Sequence, residues 1–136
     1  MSETQIEDAI CILVQKSLNN RQYKESVEFA LPQKAIDTVW KKIRIDLKGY
    51  RCSVHSDEIR HIQKEHPDDV HHICKVEHYL QKMAKVEKTW SYNKDTRRNE
   101  PALTFRKYTQ KGILSIVKMH ISRNKILSLK TLYEDV

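Results

Sequence analysis

The chain has 136 residues, 39% of them apolar, with two Gly, three Pro and three Cys and a formal net charge of +7. That is long enough for one domain with a sizeable core, and too apolar and too poor in Gly and Pro for a disordered chain. No apolar run reaches the roughly 18 residues that span a bilayer, and the opening MSETQIEDAI has no signal-peptide core, so a cytoplasmic protein with no membrane partner is expected.

The charge is unevenly spread. Residues 1–36 carry 4 Lys/Arg against 5 Asp/Glu, and residues 37–136 carry 21 against 13. A basic body behind a near-neutral start suggests a polyanionic partner. Cys11, Cys52 and Cys74 are odd in number and lack paired spacing, which predicts reduced buried thiols.

In chain order, TQIEDAICILVQKSLNN sets Ile6, Ile10, Leu13, Val14 and Leu18 on one helical stripe. SVEFALPQ reads as a short strand stopped by Pro32. PQKAIDTVWKKI reads as a helix with Pro32 in its first turn. DLKGY is a turn and YRCSV a second short strand. Ser56 is suited to cap the next helix, with Asp57 and Glu58 at its positive end. Pro67 disfavours helical geometry at His66, so that helix is expected to end there. DDVHHICKVEHYLQKMAKVE predicts a further helix, with Val70, Ile73, Tyr79 or Leu80, and Met83 as its apolar positions. KTWSY, ALTFRKY, ILSIVKMHI and KILSLKTLY alternate with period two and predict four antiparallel strands, joined in part by turn-like TQKG and SRNK. The expected class is α+β, with N-terminal helices followed by a four-stranded antiparallel sheet.

The stretch SDEIRHIQKEHP raises a question of geometry. On an ideal helix His66 falls within about 20° of Ile59, His61 about 160° away, and the two imidazoles diverge by about 140°. They can serve one ligand only if the helix unwinds before Pro67. In the strands, Leu103, Phe105 and Lys107 share one face by alternation, as do Leu127, Leu129, Thr131 and Tyr133. A sheet rim bearing a lysine and hydroxyls, under a helix bearing histidines, would make a cleft. Such a set suits metal-free RNA cleavage. Histidines can take and give protons, a lysine can hold the phosphate, and hydroxyls can donate hydrogen bonds to it.

LKGYRCSVHSDEIRHIQKEHP, then a helical insert, then ALTFRKYTQKGILSIVKMHISRNKILSLKTLYE resembles the phage-associated branch of the barnase–EndoU–colicin–RelE nuclease superfamily. The likeness rests on Ile59-Arg60-His61-Ile62 with Lys64 and His66, on Lys107 in an early strand, and on Thr131-Leu132-Tyr133 in the last. It covers roughly residues 46–134, leaving 1–45 as a helical extension packed on a 46–136 nuclease domain. The resemblance implies a metal-independent endoribonuclease, without cofactor, acting as a toxin or as a phage or mobile-element effector. It implies His61 and His66 as the acid–base pair, Lys107 as the phosphate-binding cation, and Thr131 and Tyr133 as hydroxyl donors. RNA, with tRNA among the candidates, is the implied partner, alongside an immunity or antitoxin protein.

Arg60, Lys64, Arg97, Arg98 and Arg106 are the expected nucleic-acid contacts, with Lys41, Lys42, Arg44 and Lys94 as further basic candidates. Trp90 or Tyr92, in the basic SYNKDTRRNE stretch, could stack on a base. A non-catalytic nucleic-acid-binding or inhibitory protein on the same fold is the alternative. His71, Cys74 and His78, with His66 or His72 nearby, match no strong zinc spacing, and no metal is expected.

Overall fold

Ser2 and Gln5 open the first helix, α1 (Glu3–Asn19), with a reciprocal capping box: the Gln5 N–H donates to Ser2 Oγ at 3.2 Å and the Ser2 N–H to Gln5 Oε1 at 2.8 Å. The computed structural model describes residues 2–93, 96–121 and 124–135, and at 117–121 the backbone alone. After α1 come β1 (Ser26–Ala30), α2 (Gln33–Ile43), β2 (Arg51–His55) and α3 (Ser56–Glu65). A 3-10 segment (Pro67–Lys75) and the single turn of α4 (Val76–Leu80) follow. Four strands complete the chain: β3 (Lys85–Asn93), β4 (Arg98–Tyr108), β5 (Ile113–Ile121) and β6 (Ile126–Asp135).

The class is α+β, but the sheet has six strands rather than four and is mixed, in the order β1-β2-β6-β5-β4-β3. The four C-terminal strands form the expected antiparallel meander. The two short strands extend it: β1 pairs antiparallel with β2, and β2 runs parallel to β6 over Arg51–Ser53. Local alternation marks a strand but does not name its neighbour. The β2–β6 pairing joins segments about seventy residues apart, with helices and strands between them, as a parallel crossover requires.

One apolar core joins the helices to the sheet. Ile6, Ile10, Leu13 and Val14 of α1, Ile59 and Ile62 of α3, and Phe29, Phe105 and Leu132 of the sheet all belong to it. Leu18, expected on the α1 stripe, is exposed, and Ser17 is buried in its stead. Ser17 Oγ donates to Ser56 Oγ at 2.8 Å, and Ser56 Oγ also accepts from Glu25 N–H at 3.1 Å. Ser56 is thus committed to tertiary contacts and does not cap α3. That role passes to His55, whose Nδ1 accepts the Asp57 N–H at 3.0 Å.

The long helix expected after Pro67 is instead the 3-10 segment, α4 and the start of β3. Val70, Ile73 and Val76 recur every three residues, which suits a helix with three residues per turn. No helix among the described residues is long and apolar enough to cross a membrane.

Candidate functional site

The cleft begins with an irregularity in β6. Val117 pairs with Thr131 and Lys118 with Leu129, so Lys130 has no partner opposite it on β5. One extra residue reverses the strand's alternation. Leu127, Leu129 and Leu132 are all buried. Thr131 and Tyr133, expected on the face of Leu127 and Leu129, therefore turn to the opposite face. They join Thr104, whose partner Val117 is also that of Thr131. Thr104 Oγ1 lies 3.0 Å from Thr89 Oγ1, so hydroxyls run across β4 and β3.

The wall comes from α3. β2 pairs with β6 only as far as Ser128, and α3 packs against β6. α3 stops at Glu65, and His66 leaves helical geometry at φ −139° and ψ 63°. This is the unwinding before Pro67 that two convergent histidines require. His61, Glu65 and His66 line an open cleft of about 460 Å³ together with Lys130, Thr131 and Tyr133. Thr89, Ser91 and Thr104 form its far side, and Trp90, 64% exposed, stands at its margin. The His66 and Tyr133 rings stack with centroids 5.0 Å apart and planes at 21°.

Of the five residues expected to carry chemistry, four line this cleft: His61, His66, Thr131 and Tyr133. Lys107 does not line it. It shares the core-side face of Leu103 and Phe105, and its Nζ lies 5.5 Å from the Tyr79 ring centroid. Among the described residues, the lysine lining the cleft is Lys130. The spacing Leu127-Leu129-Leu132, two then three, was the sequence signal for the bulge that puts Lys130 and Thr131 there. Glu58, expected only as a first-turn acid of α3, is also half-buried. Burial pushes its carboxyl above the ordinary range, opposed by the charges of Lys130 and His61.

The basic candidates are dispersed. Arg60 donates to the Ser17 and Asn20 carbonyls at 3.0 and 3.4 Å and to Asp57 Oδ1 at 2.9 Å, so it ties α3 to the end of α1. Arg106 pairs with Glu87, and Arg98 lies 3.8 Å from Glu100. Arg44 sits over the Trp40 ring, and Lys42 lines a separate small pocket with Arg106. Lys64, Lys41 and Arg97 are exposed, Arg97 at φ 57° where the β3–β4 hairpin turns. Much of SYNKDTRRNE is strand rather than loop, since Asn93 pairs with Arg98. Lys94, and Ser122 and Arg123 of the last connector, lie outside the described residues.

The histidine–cysteine set on the segment after Pro67 has other commitments. His78 Nδ1 lies 2.6 Å from Glu3 Oε1. Burial, with the neighbouring Cys11 thiol, pushes the Cys74 thiol up to about 12, which opposes a thiolate ligand there.

Comparison of the chain with protein-family models, with curated proteins and with solved structures found no match to any of them.

Proposed function

We propose that the chain is an endoribonuclease that needs no metal for the cleavage step, of the toxin or phage and mobile-element effector type, in the phage-associated branch of the barnase–EndoU–colicin–RelE superfamily. The observation that carries the reading is that the imidazoles of His61 and His66, the ammonium of Lys130 and the hydroxyls of Thr131 and Tyr133 line one open cleft. One of His61 and His66 takes the proton of a ribose 2′-hydroxyl, whose oxygen attacks the adjacent phosphorus. The P–O5′ bond breaks, and the other histidine protonates the departing 5′-oxygen. The products are a 2′,3′-cyclic phosphate and a 5′-hydroxyl. Lys130, in place of Lys107, compensates the charge that builds on the phosphorane, while Thr131 and Tyr133 donate hydrogen bonds to it. The stack on Tyr133 fixes the ring plane of His66 at the point where the helix releases it.

The test is incubation of the purified chain with total RNA in EDTA, followed by end-group analysis. Wild type should leave cyclic phosphate ends, and His61→Ala and His66→Ala should each lower the rate by about 10² to 10⁴. Equal cleavage by all three proteins overturns the reading.

The exposed Trp90, with Lys88 Nζ 5.5 Å from its ring centroid, favours a second reading: a nucleic-acid-binding or inhibitory protein without catalysis. RNA binding without cleavage, in wild type and in both histidine variants alike, would select it.

A further inference from the structure

On the face of β6 opposite the cleft, three ligating groups from distant parts of the chain converge. Asp69 and His72 come from the 3-10 segment and Glu134 from the end of β6, and their ligand atoms all lie within 4.8 Å of one another. His72 Nε2 is 3.9 Å from Asp69 Oδ1 and 3.6 Å from Glu134 Oε1. The three side chains are only 12%, 15% and 8% exposed. His72 Nε2 is buried and has no hydrogen-bond partner.

The surroundings orient these groups toward the gap between them. His72 Nδ1 lies 2.9 Å from the Tyr79 hydroxyl. In the tautomer that donates Nδ1–H to Tyr79, the Nε2 lone pair faces the two carboxylates, an arrangement that lacks a cation. A ligating histidine ordinarily gives its other ring N–H to such an acceptor. Thr109 Oγ1 donates to Glu134 Oε2, which leaves Oε1 on the His72 side. Two carboxylates and a neutral imidazole sum to −2, which a divalent ion cancels. Tetrahedral coordination at about 2.0–2.2 Å would put ligand atoms roughly 3.3–3.6 Å apart, so the present spacing needs only small adjustments.

We propose that Asp69, His72 and Glu134 form a binding site for one divalent first-row metal ion of the zinc type, with water completing the coordination. The ion is a staple. It ties the 3-10 segment to the last strand beside the cleft, where the Asp69 N–H donates to the His66 carbonyl at 2.9 Å and Tyr133 precedes Glu134. It takes no part in the cleavage chemistry, and the inference does not depend on the ribonuclease reading.

The experiment uses the full chain, stripped with chelator, dialysed against micromolar zinc chloride and measured for bound zinc, with a parallel cobalt(II) absorption spectrum and thermal melting. Wild type should retain one zinc per chain, show tetrahedral cobalt bands and melt at a higher temperature with zinc. Asp69→Asn and Glu134→Gln, both close in shape to the native residues, should each weaken binding by about tenfold or more and lose the melting shift. His78→Ala should bind as wild type does. No retained zinc in wild type overturns the site, leaving an imidazole–carboxylate contact only. Unchanged affinity in both carboxylate variants also overturns it, since the zinc would then sit on other histidines.

Discussion

The ring of His66 lies against the ring of Tyr133, centroids 5.0 Å apart and planes nearly parallel at 21°. Each residue reaches this contact through a local irregularity. His66 has passed out of α3, and Tyr133 has been turned over by the bulge in β6. Aromatic pairs of this kind add about 0.5–1.5 kcal/mol beyond their burial. On a residue outside any helix, that is enough to choose one ring orientation.

The contact separates two effects at one position. Tyr133→Phe should keep the stack and the melting temperature while lowering RNA cleavage, because only the hydroxyl is lost. Tyr133→Ala should lower both, with cleavage falling by up to about 10²-fold as His66 loses its support. Melting curves and cleavage rates measured side by side distinguish the two. An alanine variant that cleaves like wild type would show the stack to be irrelevant.

The bulge invites a deletion. Removing Lys130 restores strict alternation to β6 and leaves Leu129, Thr131 and Leu132 on their present faces. In urea unfolding the deletion should therefore cost far less than Leu132→Ala, which loses a buried leucine at about 2–5 kcal/mol. A deletion as costly as Leu132→Ala would contradict the register described here.

Glu58 supplies a pH dependence of definite sign. Burial raises its carboxyl pKa above the ordinary value of 4.5. The folded state then holds a proton that the unfolded state has released. Stability from this group is fully present below about 4.5 and is lost as pH rises through the raised folded value. Glu58→Gln should remove that decline and make the chain more stable than wild type at neutral pH. Urea unfolding from pH 4 to pH 8 checks it. A wild-type-like slope in the variant would assign the decline to other groups.

Much of the fold was legible because its signals are local. Pro67 ends a helix whatever packs around it, and period-two alternation marked the four strands of the C-terminal meander. The stripe of α1 was legible for the same reason, apart from its last turn. There Ser17 is drawn inward by Ser56, 39 residues away. What could not be read was set by distant partners. The parallel β2–β6 pairing is one case. The 3-10 geometry after Pro67 is another: Val70, Ile73 and Val76 fit it, but their spacing also suits an α-helix. Alternation does put Lys107 at the end of an apolar run on β4. The same alternation does not run unbroken through β6, where Leu127, Leu129 and Leu132 break it. The cluster of Asp69, His72 and Glu134 was invisible for a simpler reason, since its third member lies 62 residues beyond the second.

The most direct test of the cleft is a comparison of two lysines on opposite faces of the sheet. RNA cleavage in EDTA should fall by about 10²-fold in Lys130→Ala, which removes the cation lining the cleft beside His61 and His66. Lys107→Ala, whose ammonium lies over Tyr79, should cleave at the wild-type rate. The reverse pattern, with Lys107 essential and Lys130 dispensable, would contradict the account.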